Sequence, residues 1–137
     1  MIAAVRYYTK TGNTKKLADA IGECLGVQAK SVDDILEENV DILFLGSSVY
    51  AAGVDIKIKK FIASLDCSKV KRVVNFSTAA LLKSTYSQIS KLLAKKNIPL
   101  DEREFHCRGS FMLMHMGKPD TNDIQSVKEF AKSICKS

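Results

Sequence analysis

The chain has 137 residues, 46% of them hydrophobic and 26% charged, which is enough for one domain with a substantial core and ordinary for a globular protein. No apolar run approaches the roughly 20 residues that span a bilayer, and the N-terminus enters a strand at once without a signal-peptide pattern, so the expected location is cytoplasmic, with no stable membrane insertion. The net charge of +6 and pI near 9.2 do not describe a uniform nucleic-acid surface, because residues 31–56 hold six acids and no Lys or Arg whereas residues 67–100 hold seven basic residues and no acid.

In chain order, the β-prone run Ile2-Ala3-Ala4-Val5-Arg6-Tyr7-Tyr8 predicts a first strand. It meets the turn Thr9-Lys10-Thr11-Gly12-Asn13-Thr14, after which Leu17, Ile21, Cys24 and Leu25 recur at helical spacing. Gly26 closes that helix, Val27–Lys30 reads as a short second strand, and Asp33 is placed to cap a short helix carrying Ile35 and Leu36. Val40–Leu45 is nearly continuous in apolar residues, as a central parallel strand requires, and leads into a loop from Gly46 to Gly53. Asp55 caps a helix with Ile58, Phe61, Ile62 and Leu65 on one face.

A fourth strand spans Val70–Ser77, followed by a loop from Thr78 to Lys83 and a helix from near Ser84 that buries Ile89, Leu92 and Leu93 before Pro99. The last strand alternates, with Phe105, Cys107, Gly109 and Phe111 opposite Glu104, His106, Arg108 and Ser110, which predicts an edge position. A loop with Met112, Met114 and Met116 precedes a final helix carrying Ile124, Val127, Phe130, Ala131 and Ile134. Cys24, Cys67, Cys107 and Cys135 are far apart, without a C-x-x-C, and read as reduced, mostly buried thiols.

Five strands alternating with five helices predict an α/β fold in which helices cover both faces of a parallel sheet, in one domain over residues 1–137. Strand order 2-1-3-4-5 suits a ligand site after the first strand and puts three loops together at the carboxyl ends of strands one, three and four. The first of these loops opens a helix whose leading amides lack intrahelical partners at the positive dipole end, which suits phosphate. Gly12 admits close approach or positive φ, and the threonine hydroxyls and Asn13 add donors.

The run Thr9-Lys10-Thr11-Gly12-Asn13-Thr14 closely resembles the phosphate loop of the flavodoxin family, T/S-x-T-G-N-T. Gly46-Ser47-Ser48-Val49-Tyr50-Ala51-Ala52-Gly53 is similar to that family's aromatic-bearing flavin loop. Cys107–Phe111 followed by Gly117-Lys118-Pro119-Asp120 looks like one branch of it. The resemblance implies a flavodoxin-like three-layer sandwich and FMN as cofactor. It assigns phosphate binding to Thr9, Lys10, Thr11, Gly12, Asn13 and Thr14, and ring contacts to Ser48, Val49, Tyr50, Ala51, Ser77, Thr78 and Ala79. Two departures stand out: Arg6 replaces an apolar strand residue, and the third loop offers Thr78-Ala79-Ala80-Leu81-Leu82 where an aromatic residue and glycines are common.

The function so implied is electron transfer between redox partner proteins, a reductase and an acceptor, by a monomer or weak dimer that binds no nucleic acid and has no catalytic residues of its own. The alternative is a flavodoxin-like FMN-dependent oxidoreductase acting on a quinone or protoporphyrinogen-type substrate. A phospho-receiver domain is nearly excluded, because Thr9-Lys10-Thr11 and Gly46-Ser47-Ser48 stand where its acids belong. The Met-rich run reads as an apolar loop at the ligand rim, since nothing else supplies a soft-ligand cage for copper and no metal is expected.

Overall fold

Alternating burial along paired extended segments builds the molecule. The computed structural model describes residues 1–10, 12–49, 54–79, 85–108 and 119–136. Among them the elements are β1 (Ala3–Tyr7), α1 (Asn13–Leu25), β2 (Ala29–Ser31), β3 (Val40–Val49), α2 (Ile56–Ser64), β4 (Val70–Ala79), α3 (Tyr86–Ala94), β5 (Leu100–Arg108) and α4 (Thr121–Lys136). All strand pairs are parallel and the order is β2-β1-β3-β4-β5, with β5 at one edge.

Odd and even positions of the central strands serve opposite layers, as the two-residue period of a strand demands. Val5, Ile42, Phe44, Val74 and Phe76 pack with Leu17 and Ile21 of α1 and Val127, Ala131 and Ile134 of α4. Ala4, Leu43, Leu45 and Val73 pack with Ile58, Phe61 and Ile62 of α2 and Ile89 and Leu93 of α3. Phe105 of β5 meets Phe130 of α4 with ring centroids 6.0 Å apart, so the edge strand still contributes one apolar face. His106 on its other face is exposed.

The turn after α1 depends on two glycines. Gly26 sits at φ 73° and returns its N–H to the Gly22 carbonyl, a conformation that favours glycine. A Cβ at Gly22 would lie 2.6 Å from the Val27 carbonyl oxygen, so β2 can approach α1 only where no side chain intervenes. The Val27 N–H also donates to Gly22, at 2.9 Å, and this turn delays the start of β2 to Ala29 instead of Val27.

The short helix anticipated at Asp33 does not form, leaving four helices among the described residues. Ser31 Oγ takes the Asp33 amide at 3.1 Å, and the Asp34 carbonyl accepts a 3.0 Å bond from Arg6 Nε, so local turns satisfy groups a helix would need. Arg6, only 3% exposed, also donates to its neighbour Val5 through Nη1 at 3.2 Å and faces Glu38 at 3.9 Å. The arginine that breaks the apolar pattern of β1 thus holds the segment between β2 and β3 against the sheet.

Two further expectations are corrected. Three of the cysteines, Cys24, Cys107 and Cys135, are only half-buried, and Cys67 is exposed because it lies in the turn after α2; all four are free thiols. The third and fourth strands also run four and two residues past Leu45 and Ser77, to Val49 and Ala79, because β3 and β4 continue to pair through that region and pairing overrides the weak strand preference of Gly and Ser.

The β4–β5 register slips between Val73 and Asn75, and Asp101 lies at the slip. Its carboxylate accepts from the Arg103 amide at 2.9 Å, from Arg103 Nε at 3.0 Å and from Arg72 Nη1 at 2.9 Å. The Arg103 hydrogen bonds hold the Asp101 carboxyl below the usual carboxylate range, with further help from Arg72. A group depressed in the folded state stabilises above its unfolded pKa and loses that contribution as pH falls through the folded value. Asp101→Asn is therefore expected to cost about 1–3 kcal/mol at pH 7. The difference from the parent protein should shrink as pH drops below about 4 in urea melts; a pH-independent difference would show that the charge is not responsible.

Candidate functional site

The carboxyl ends of β1, β3 and β4 gather polar side chains where a parallel sheet would ordinarily continue its apolar layers. After β1 the chain makes one tight turn into α1. Gly12 has φ 89° and ψ −2°, its amide donates to Thr9 Oγ1 at 3.0 Å, and its carbonyl accepts the first intrahelical bond, from the Lys16 amide, at 3.2 Å. This left-handed turn suits glycine. It sets the thirteen-residue helix α1 with its N-terminus at the carboxyl edge of the sheet, where anions are favoured. Lys10 reaches Asp55 at 3.8 Å, and Asp55 caps α2 by accepting from the Lys57 amide, as its position predicted.

Behind this turn lie two buried polar clusters, one on each face of the sheet. On the α1 face, Thr14 Oγ1 donates to the Ser47 carbonyl at 3.3 Å and contacts the hydroxyls of Ser48 and, at 2.9 Å, Thr78. Ser48 and Thr78 face each other across the β3–β4 pair at 3.3 Å. One threonine thus joins the helix to both strand ends. Gly46 makes the approach possible, because a Cβ there would collide with the Phe76 ring and lie 2.9 Å from the Thr14 methyl group.

On the α2–α3 face, Ser47 Oγ donates to Thr85 Oγ1 at 2.9 Å, and Thr85 exchanges hydrogen bonds with the Asn75 amide group at 3.1 and 3.3 Å. All three residues are fully buried. Ser77, paired with Ser47 in the β3–β4 register, is equally buried, and among the described residues its hydroxyl has no hydrogen-bond partner. An orphaned buried hydroxyl carries an unrecovered desolvation cost.

The residues singled out by sequence distribute as follows. Thr9, Lys10 and Gly12 form the turn, and the buried Asn13 and Thr14 open α1. Ser48, Val49, Ser77, Thr78 and Ala79 sit on paired strand ends, not in loops, with Ser48 opposite Thr78 and Val49 opposite Ala79. Thr11, Tyr50 and Ala51 lie outside the described residues, as do Lys83 and the Met-rich run. Tyr86 is the first residue of α3, and its hydroxyl donates to the Asp101 carbonyl at 3.1 Å, toward β5. Burial, with the acids of β5, raises its pKa.

Sequence reasoning missed Asn75 and Thr85 and gave Ser47 no role of its own. The available signal was Asn75 itself, an amide inside the apolar run Val73-Val74-Asn75-Phe76, which a central strand tolerates only with a buried partner. Thr85→Ala leaves Ser47 and Asn75 short of partners and is expected to cost about 1–3 kcal/mol. Ser77→Ala removes a group without a partner among the described residues and should leave ligand-free stability unchanged or raise it by up to about 1 kcal/mol. Thermal melts of the two variants check both; a large loss in Ser77→Ala would reveal a partner for that hydroxyl.

A family model for the flavodoxin domain matches residues 4–114. An uncharacterized protein of Methanocaldococcus jannaschii is 32% identical over 138 aligned positions that cover 91% of each chain. Among solved structures, an archaeal flavodoxin superposes with a TM-score of 0.79 at 21% identity, covering 99% of this chain and 97% of its own. Oxidised flavodoxin 2 of Bacillus cereus gives 0.72 at 15% identity with 99% coverage of both. The rubredoxin oxygen:oxidoreductase of Desulfovibrio gigas gives 0.76 at 12% identity over 98% of this chain and 35% of its own. The family match takes in the turn after β1, both polar strand ends and all of β5, and this chain belongs to the flavodoxin family.

Proposed function

We propose that the chain, folded as one domain, binds one FMN at the carboxyl edge of the sheet and passes electrons between redox partner proteins. The observation that carries the reading is the left-handed Gly12 turn, which opens α1 beside the hydroxyl-lined ends of β3 and β4. The donor set fits a phosphomonoester. Helix-terminal amides, the Asn13 side chain and threonine hydroxyls suit a terminal phosphate, and no dinucleotide glycine motif is present. The orphaned Ser77 hydroxyl fits a site that supplies a partner on binding.

In this reading Thr9, Thr11, Gly12, Asn13 and Thr14 hold the phosphate. Thr14 acts chiefly through its amide, because its hydroxyl is engaged with Ser47, Ser48 and Thr78. Lys10 adds positive charge while its pairing with Asp55 ties the first turn to the start of α2. Ser48, Val49, Tyr50 and Ala51 flank the ring on one side, and Ser77, Thr78 and Ala79 on the other. The buried Ser47–Asn75–Thr85 cluster anchors both ends of the β4–α3 connection, so ring-flanking residues are held in place by strands and not by loops alone. The chemistry supplied by bound FMN is one- and two-electron transfer, with the protein setting its orientation and electrostatic surroundings.

Titration of the apoprotein with FMN, followed by flavin absorbance and fluorescence quenching, should give one site per chain. Riboflavin, which lacks the phosphate, should bind about tenfold to a hundredfold more weakly, since each charge-assisted bond it forgoes is worth about 1.5–3 kcal/mol. Gly12→Val places a β-branched residue at positive φ and should weaken FMN by about tenfold or more while leaving riboflavin less affected. Equal affinities for FMN and riboflavin in the parent protein would remove the phosphate assignment.

A further inference from the structure

The charge segregation seen in the sequence becomes a surface feature once α2 and α3 lie side by side on one face of the sheet. Between Ile56 and Leu100 there are ten Lys or Arg residues and one acid, Asp66. Asp66 stands beyond the C-terminal end of α2 and is engaged with Ser68. A groove of about 300 Å³ runs between the two helices, lined by Val54, Lys59, Gln88, Lys91, Leu92 and Lys95. Lys59, Lys91 and Lys95 are exposed, and among the described residues no carboxylate lies within ion-pair distance of any of them.

The neighbouring flank of α2 is different. There Lys57 pairs with Asp33 at 3.3 Å and lies 5.7 Å from the centre of the Tyr8 ring, so its charge is already answered within the chain. The groove also has a defined position relative to the site. The Val54 amide donates to Gln88 Oε1 at 2.8 Å, joining the residue ahead of the α2 cap Asp55 to the first turn of α3 at the carboxyl edge of the sheet.

We propose that this lysine-rimmed groove is the docking surface for an acidic protein that exchanges electrons with the flavin site. The inference rests on the FMN reading. Its floor is the apolar pair Val54 and Leu92 and its rim is three unpaired cations, the arrangement of a protein interface with an apolar centre and a charged edge. Nucleic acid suits it less well, because the groove offers neither an arginine fork nor an aromatic platform for bases. Acidic partners would be steered to the side of the molecule on which both ring-flanking connections end, which favours short transfer distances.

The test uses the FMN-loaded 137-residue chain, with loading first confirmed by absorbance. Electron transfer is followed in a stopped-flow instrument from a reduced acidic [2Fe–2S] ferredoxin, one electron leaving its cluster and entering the bound flavin. The groove variant Lys59→Glu/Lys91→Glu/Lys95→Glu is compared with Lys30→Glu/Lys132→Glu/Lys136→Glu, which changes net charge equally at exposed positions on β2 and α4. At low ionic strength the groove variant should slow transfer about tenfold or more and the control by less than about threefold, the two converging in about 0.5 M salt. Transfer from the reduced chain to cytochrome c, a basic acceptor, should be faster in the groove variant than in the parent.

Equal slowing by both variants would show that net charge alone matters and would overturn the groove assignment. A labelled single-stranded oligonucleotide, or phosphatidylserine vesicles, binding through the same three lysines while ferredoxin rates ignore them would overturn it in favour of those partners. A chain that takes up no FMN would overturn the flavin reading and this inference with it, whereas a loaded chain with groove-independent rates overturns this inference alone.

Discussion

The hydroxyl of Thr14 is the point on which the carboxyl edge of the sheet depends. It is buried at the start of α1 and touches the backbone of β3 and the side chains of Ser48 and Thr78, so one group reports the position of a helix to two strands. Such a contact has directional requirements that an apolar contact lacks, and its loss would leave several desolvated groups unsatisfied at once. Gly46 permits it, since any side chain at that position would drive Phe76 or Thr14 away.

A division of labour along the strands follows. Toward their amino ends β3 and β4 carry Ile42, Leu43, Phe44, Val73 and Val74, which hold four helices through dispersion and burial. Toward their carboxyl ends the same strands carry Ser47, Ser48, Asn75, Ser77 and Thr78, satisfied with one exception by hydrogen bonds to one another and to Thr14 and Thr85. The apolar half makes the fold stable, and the polar half makes its end specific. In the proposed function that specificity holds a phosphate at one turn and two flanking connections at fixed separation.

Arg6 shows how a departure from the apolar pattern of β1 is absorbed. A buried guanidinium inside a parallel strand would be costly if unpaired. Here it donates to the carbonyls of Val5 and Asp34 and faces Glu38, and in doing so it replaces a helix between β2 and β3 with a pinned turn. The lysines of α2 and α3 are the converse case: exposed, and along the inter-helix groove left without acidic neighbours among the described residues, they shape the outer surface and leave the core untouched.

Most of the architecture was legible from periodicity and from cap residues. The continuous apolar run at Val40–Leu45 announced a central parallel strand, the alternation around Phe105 announced an edge, and Gly26 and Asp55 announced a helix end and a helix start. Each of these signals is local, because burial pattern, positive φ and capping are properties of a few neighbouring residues. The same local reading put a helix at Asp33 and ended β3 at Leu45, and there tertiary partners decided otherwise. Asp34 gives its carbonyl to an arginine 28 residues away, and Gly46 to Val49 stay extended because β4 runs beside them. It also took the cysteines as mostly buried, although how deep a thiol lies depends on which helix crosses over it. The clusters around Thr14 and Thr85 were beyond sequence for the same reason. Their members are separated by up to 64 residues, and only the β3–β4 register, together with the seating of α1 and α3 on opposite faces of the sheet, brings those hydroxyls within hydrogen-bonding distance.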